Sequence, residues 1–95
     1  MPAPVTVRLP GALADLAGGR RTLSVDPAPA TVGDVLDRLE PELPVLVRRI
    51  RDETGSVRRF VNVYVDGEDI RHGAGLATAL RPGAEVHVLP SVAGG

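Results

Sequence analysis

The chain has 95 residues, a formal net charge of −1 and no cysteine. Its length suits one domain, and the lack of cysteine excludes disulfides, thiolate metal sites and cysteine nucleophiles. The near-neutral charge gives no overall electrostatic attraction to nucleic acid or to an anionic membrane surface. No membrane-spanning segment or secretory leader is evident, so we expect a cytoplasmic protein.

Two short strands are predicted at the start of the chain. Residues 5–9 and residues 21–25 alternate apolar and polar side chains, as half-buried strands do. Pro10 and Gly11 end the first strand, and Leu13 and Leu16 are expected to place the intervening loop against the core. The two strands could pair as a hairpin with a long connection.

A helix is predicted after the proline-rich break at residues 26–29. Thr31 is its N-cap, with Asp34 three residues on, close to a capping box. Its apolar side chains recur at the spacing of one buried helical face: Val32, Val35, Leu36 and Leu39. A shorter amphipathic segment follows, with Leu43, Leu46, Val47 and Ile50.

Residues 59–65 form the strongest predicted strand, because they are rich in β-branched and aromatic side chains. Asp66 and Gly67 predict a tight turn into a short strand near Ile70, residues 76–80 a helical turn, and residues 85–89 a last strand stopped by Pro90. This order predicts an α+β fold, with a mixed four- to five-stranded sheet and one main helix on one face.

No enzyme site emerges from the side chains. His72 and His87 lack the spacing of metal ligands, and the turn acids near Asp66 do not match a calcium loop. The arginines between positions 48 and 59 lack interleaved aromatic residues, so a solvated face is favoured over an RNA footprint. All eleven basic residues are arginine, which leaves no lysine for an isopeptide bond. We therefore expect a protein that is not itself an enzyme.

The C-terminal residues 91–95 carry the strongest functional signal. They follow Pro90 with the sequence Ser-Val-Ala-Gly-Gly, and we expect a flexible tail beyond a domain of residues 1–90. Five extended residues reach about 16–18 Å, and two glycines offer no side chain to obstruct a narrow enzyme channel. A frayed end is the plain alternative. The functional interpretation is that a partner enzyme adenylates the unhindered Gly95 carboxylate, which sulfide or a persulfide then converts to a thiocarboxylate.

The second half of the chain resembles the MoaD/ThiS family of ubiquitin-like sulfur carriers. The resemblance is carried by residues 59–65, 68–71, 75–80 and the ending 89–95, with Val92, Ala93, Gly94 and Gly95 as the reactive tail. It implies a β-grasp fold and activation by an adenylating enzyme that uses ATP, with no cofactor bound by the carrier. The likeness is strongest to the branch that serves cysteine biosynthesis. That branch implies a pyridoxal-phosphate cysteine synthase as acceptor and a zinc metallopeptidase for release.

Departures from the other branches leave alternatives open. Molybdopterin-type carriers of this family tend to have phenylalanines and a Pro-Pro before the tail, where this chain has residues 88–91. Residues 42–58 form an insertion relative to thiamin-type carriers. A carrier for molybdopterin, thiamin or a sulfur-containing natural product remains an alternative, as does a ubiquitin-like modifier or a plain interaction module.

The partner surface is predicted on the outer face of the sheet. Leu89 alternates with inward Val88, and Phe60 and Tyr64 alternate with inward valines on their own strand. Such side chains close to the tail would form a docking patch for the activating enzyme. The alternative is that Phe60 or Tyr64 packs in the core.

Overall fold

A computed structural model describes residues 3–90 of the chain. Its helices and strands are, in chain order, β1 (Val5–Arg8), α1 (Gly11–Ala14), β2 (Thr22–Val25), α2 (Val32–Leu39), α3 (Pro44–Ile50), β3 (Val61–Val65), β4 (Glu68–Asp69) and β5 (Glu85–Pro90). Short 3-10 turns cover Asp15–Ala17, Ile70–His72 and Gly75–Ala77. No helix within residues 3–90 has the length and apolar character that a membrane crossing requires.

The strands form one mixed sheet in the order β2-β1-β5-β3-β4. β1 runs parallel to β5, with Thr6 opposite Glu85, whereas the other neighbouring pairs are antiparallel. The first and last strands therefore meet inside the sheet, and β5 is paired along both edges. With helices on one face, this is the α+β, β-grasp architecture that the sequence predicts.

Alternation of apolar and polar residues places the core on one face of the sheet. Val7, Val63 and Val88 come from the three adjacent strands and are at most 2% exposed. The predicted face of α2 is buried against them. Because α3 also buries Leu46, Val47 and Ile50, the helical layer consists of two helices of similar length rather than one main helix alone.

The N-terminus of α2 is fixed by a cap and by a close neighbouring segment. The Thr31 hydroxyl accepts a hydrogen bond from the Asp34 N–H at 3.1 Å, which confirms the predicted N-cap. A Cβ on Gly33 would lie 3.3 Å from the carbonyl oxygen of Leu76. Glycine at this helical position therefore allows the segment after β4 to pack directly on the helix.

Polar contacts order the connection from α3 to β3. The Arg51 guanidinium donates to Asp37 at 2.8 Å and to Glu40 at 2.7 Å. Burial opposes its charge, but these two carboxylates outweigh that effect and raise the pKa of Arg51. In the following loop, the pKa of the Asp52 carboxyl is lowered by hydrogen bonds from the Thr54 hydroxyl and the Ser56 N–H. The insertion is thus a defined part of the domain.

Several local expectations differ from the structure. Pro90 does not stop the last strand as predicted, because β5 includes it and pairs it with Val61. The loop predicted around Leu13 contains a helical turn, α1, whose Ala14 is buried. The predicted tight turn at Asp66 and Gly67 is present, with positive φ at both residues. The short strand after it covers Glu68–Asp69, while Ile70 begins a 3-10 turn. The helical turn expected at residues 76–80 covers Gly75–Ala77, and β3 begins at Val61 rather than at Arg59.

The burial of α3 can be tested by truncating two side chains of the same helix. Ile50 is 1% exposed, whereas Val45 is 44% exposed. Ile50→Ala is expected to lower the free energy of unfolding by about 2–5 kcal/mol, because it leaves a cavity. Val45→Ala is expected to change it by about 0.5 kcal/mol or less. Urea denaturation measures both, and equal losses would contradict the placement of α3.

Candidate functional site

The candidate site begins where β5 ends. Pro90 is the last residue of β5, is exposed and pairs with Val61 at the start of β3. The predicted reactive residues Val92, Ala93, Gly94 and Gly95 lie outside the described residues, so their role stays a prediction. The structure does position the strand end from which they continue, which we call the tail exit.

Two of the predicted partner-binding residues lie on the outer sheet face near the tail exit. Leu89 is opposite Asn62, and Tyr64 is opposite His87, so Leu89 and Tyr64 are diagonal neighbours. Both side chains are partly exposed, and neither belongs to the buried core. The alternative that Tyr64 packs in the core is therefore wrong. Leu89 and Tyr64 form a small apolar patch on the face of the sheet that the helices do not cover.

Arg71 stabilises the start of β3 beside this apolar patch. Its guanidinium donates to the carbonyl oxygen of Val61 at 2.7 Å, to that of Arg58 at 3.0 Å and to the side-chain oxygen of Asn62. One side chain thus holds the turn before β3 and a residue of the outer face. The shape of the surface around the tail exit is consequently set by hydrogen bonds as well as by the sheet.

Phe60 does not share the outer face with Tyr64. The Val61 N–H donates to the carbonyl oxygen of Arg58 at 3.1 Å, so Phe60 lies in a turn before the strand. Its side chain is 61% exposed. It lines a groove on the helical side of the sheet, which corrects the predicted placement; it is not a core residue either.

We call this cavity the α3 groove. It has a volume of about 610 Å³ and lies between α1, α3, the Phe60 turn and the tail exit; its lining includes Leu13, Val45, Arg48, Arg49, Phe60 and Pro90. Sequence reasoning missed the role of Val45. A signal was present, because Val45, Leu46 and Val47 are consecutive apolar residues in a helix and cannot all face the core.

Side chains that could hold a metal ion do not cluster in the described part of the chain. Within residues 3–90, no three side chains of His, Cys, Asp or Glu are close enough to hold a metal ion. A hollow of about 840 Å³ is lined by Asp66, Glu68, Asp69 and His72. It lies beside the end of β3 farthest from Pro90, so it is separate from the tail exit.

Fold and site together define a ubiquitin-like β-grasp protein whose last strand leads to a glycine-ended C-terminus. A family model described as the ThiS family matches residues 7–95, and the chain belongs to that family. The family resemblance seen in the sequence is thereby confirmed.

A sequence comparison and a structure comparison agree on the kind of protein involved. The chain is 42% identical to the sulfur carrier protein CysO of Mycobacterium tuberculosis over 93 residues, which cover 96% of this chain and 98% of that protein. The crystal structure of M. tuberculosis CysO superposes with a TM-score of 0.84 at 39% identity, covering 93% and 99% of the two chains. These relatives are small carrier proteins rather than enzymes.

The other two relatives extend the comparison to a complex and to a modifier. A chain of the Amycolatopsis orientalis BexX/CysO complex matches with a TM-score of 0.78 and 35% identity over 96% of this chain and 99% of that one. Small archaeal modifier protein 3 of Haloferax volcanii is 48% identical over 66 residues, which cover 70% of this chain and 71% of that protein.

Proposed function

We propose that this protein is a sulfur carrier that acts through a thiocarboxylate on Gly95. The observation that supports it most directly is the similarity to CysO over nearly the whole of both chains, together with a family match that extends through Gly94 and Gly95. The fold is compatible with the same role, because pairing with β3 holds the last strand in the sheet as far as Pro90.

The chemistry requires two steps on the Gly95 carboxylate. A carboxylate oxygen first attacks the α-phosphorus of ATP on a partner enzyme, which forms an acyl adenylate and releases pyrophosphate. Sulfide then attacks the acyl carbon and displaces AMP, which leaves the thiocarboxylate. If a persulfide attacks instead, the product is an acyl disulfide, and a thiol reduces its S–S bond to give the thiocarboxylate. The carrier supplies the acyl group and a surface for docking, while the partner supplies ATP and catalysis.

The outer sheet face is the surface proposed for the activating enzyme. Leu89 lies directly before the tail exit, and Tyr64 adjoins it on the neighbouring strand. Partly exposed apolar side chains close to a reacting terminus suit a binding hot spot. A partner can bury them without disturbing the core of this protein. Phe60 faces the α3 groove and is not part of this surface.

The proposed final acceptor is the cysteine synthase of a cysteine pathway. Its pyridoxal phosphate supplies an aminoacrylate from O-phosphoserine, and the thiocarboxylate sulfur adds to the β-carbon of that aminoacrylate. An S-to-N acyl shift then gives an amide between Gly95 and cysteine, which a zinc metallopeptidase hydrolyses. Support comes from the CysO relatives and from the absence of cysteine in the chain, since no internal thiol competes for the acyl group.

A protein-modifier role is the second candidate. It is favoured by the 48% identity to small archaeal modifier protein 3. A modifier would join Gly95 to lysines of other proteins, whereas this chain has no lysine of its own to receive a second copy through a side chain. A conjugation assay in cell extract separates the two roles, because a modifier gives a ladder of adducts and a carrier does not.

The role of Gly95 is tested by changing only the C-terminus. Deleting Gly95, or adding one residue after it, is expected to abolish thiocarboxylate formation while the melting temperature stays unchanged, because the buried core is built from residues between Val5 and Val88. Intact mass measures the oxygen-to-sulfur replacement, and thermal denaturation measures stability. Full loading of the extended chain without trimming would refute the proposal.

The outer face is tested with Leu89→Asp. Adenylation is expected to fall roughly 30-fold, as for a hot-spot contact of about 2 kcal/mol, with little change in melting temperature because Leu89 is outside the core. Pyrophosphate release measures adenylation. Ser24→Asp is the matched control, since it adds the same charge to the outer face on β2; a melting temperature that collapses only in Leu89→Asp would place Leu89 in the core.

The acceptor is tested with the thiocarboxylate form, O-phosphoserine and the cysteine synthase of the same organism. The expected product is the carrier with one cysteine residue added to its mass. If that adduct is not formed while a molybdopterin precursor, a thiamin precursor or a thiosugar synthase consumes the sulfur, the cysteine pathway is wrong and the carrier role alone stands.

A further inference from the structure

The α3 groove exposes apolar side chains that the fold itself does not need. Phe60 and Val45 both line it, and they are the large hydrophobic residues exposed within residues 3–90, at 61% and 44%. Two such groups facing one cavity differ from the scattered apolar residues of an ordinary surface.

The same groove is positively charged. Arg48, Arg49 and Arg58 line it, and no acidic residue does. Within residues 3–90 none of the three forms an ion pair, whereas nearby Arg51 is held by Asp37 and Glu40. Arg58 does lie close enough to Asp52 to help lower the pKa of that carboxyl, so Arg48 and Arg49 supply the less compensated charge. The last turn of a helix favours cations, which accounts for arginine at positions 48 and 49. It does not account for Phe60 and Val45 beside them.

The groove adjoins the tail exit on the side opposite to the outer face. Pro90 lines it together with Val61, whose side chain points inward. Leu89, one residue earlier, points to the other face of the sheet. Two surfaces therefore flank the strand end from which the tail continues: one on the outer sheet face around Leu89, and one lined by three arginines on the helical side.

We propose that the α3 groove docks an acidic segment with an apolar side chain at its centre, presented by the enzyme that takes sulfur from the loaded carrier. This inference rests on the proposed carrier function. The acids of the segment complement the three arginines, and its apolar side chain contacts Phe60 and Val45. A carrier meets at least one enzyme that loads it and one that unloads it. The groove borders the tail exit through Pro90 and Val61, so an acceptor enzyme seated in it is placed close to the strand end that precedes the tail.

Three variants separate the two steps. Arg48→Gln with Arg49→Gln removes the charge but keeps long side chains, and Phe60→Ser removes an exposed aromatic ring. Arg58 is left unchanged because its Nε–H donates to the carbonyl oxygen of Arg48. Arg21→Gln with Arg81→Gln is the charge-matched control, since both residues are exposed and lie outside the groove.

Delivery is measured on carrier whose thiocarboxylate is made chemically by cleaving an intein fusion with sulfide, so the loading enzyme is not needed. Consumption by the cysteine synthase with O-phosphoserine is expected to fall about tenfold in both groove variants, and the arginine effect is expected to shrink at high salt. Loading is expected to match the wild type. Delivery at the wild-type rate, or an equal loss of both steps, would overturn the inference.

A peptide experiment tests whether the α3 groove binds an acidic segment, even if the acceptor proves to be a different enzyme. A blocked peptide with one leucine flanked by glutamates is titrated into the ¹⁵N-labelled protein, alongside the same peptide with lysines for the glutamates. Only the acidic peptide is expected to shift amide signals of α3 and the Phe60 turn, and the arginine variant is expected to lose that response. Equal responses to both peptides, or none, would overturn the inference.

The same spectra test the other possible occupants. If a chain ending at Ser91 shifts the groove signals without peptide, the protein's own tail occupies the groove. If the signals shift with protein concentration, a second copy does. Either result would overturn the inference, while failure of the wild type to form a thiocarboxylate would instead refute the proposed function.

Discussion

The parallel pairing of β1 with β5 is the constraint on which the rest of the structure depends. Parallel neighbours cannot be joined by a hairpin, so the chain between them has to cross the sheet, and here it does so through α2 and α3. That crossover supplies the helical layer that covers the valines of the inner face. It also places the last strand beside the first, so the C-terminal segment continues from inside the sheet rather than from a frayed edge.

The period of two along a strand then divides the end of β5 into two environments. Val88 faces the core while Leu89 faces outward, and the turn before β3 sends Phe60 to the helical side. Surfaces with different chemistry therefore lie within a few residues of one another. Leu89 and Tyr64 on one surface, and Phe60 and Val45 on the other, are outside the buried core, so these side chains can change while the fold is kept.

The sequence predicted those features that local patterns determine. The face and cap of α2, the alternation of β3 and β5 and the Asp66–Gly67 turn all depend on residues close in the chain. The position of Phe60 could not be predicted this way. Its alternation with Val61 fits a longer strand, but the hydrogen bonds of distant Arg71 to the carbonyls of Arg58 and Val61 hold a turn there. The α3 groove was missed for the same reason, since α1, α3 and the tail exit meet only in the folded chain. The tail residues themselves lie outside the described part, so their assignment still rests on sequence and family.

The double pairing of β5 also has a mechanical meaning. If a partner enzyme binds the folded domain and draws the C-terminus into a narrow channel, it pulls on Pro90 along the strand axis while the domain is held in place. Because β3 pairs with residues 86–90 of β5 and β1 with residues 85–87, such a pull loads both ladders of backbone hydrogen bonds in shear, and these bonds share the force instead of opening one after another. The domain is thus built to resist a force applied to its C-terminal end.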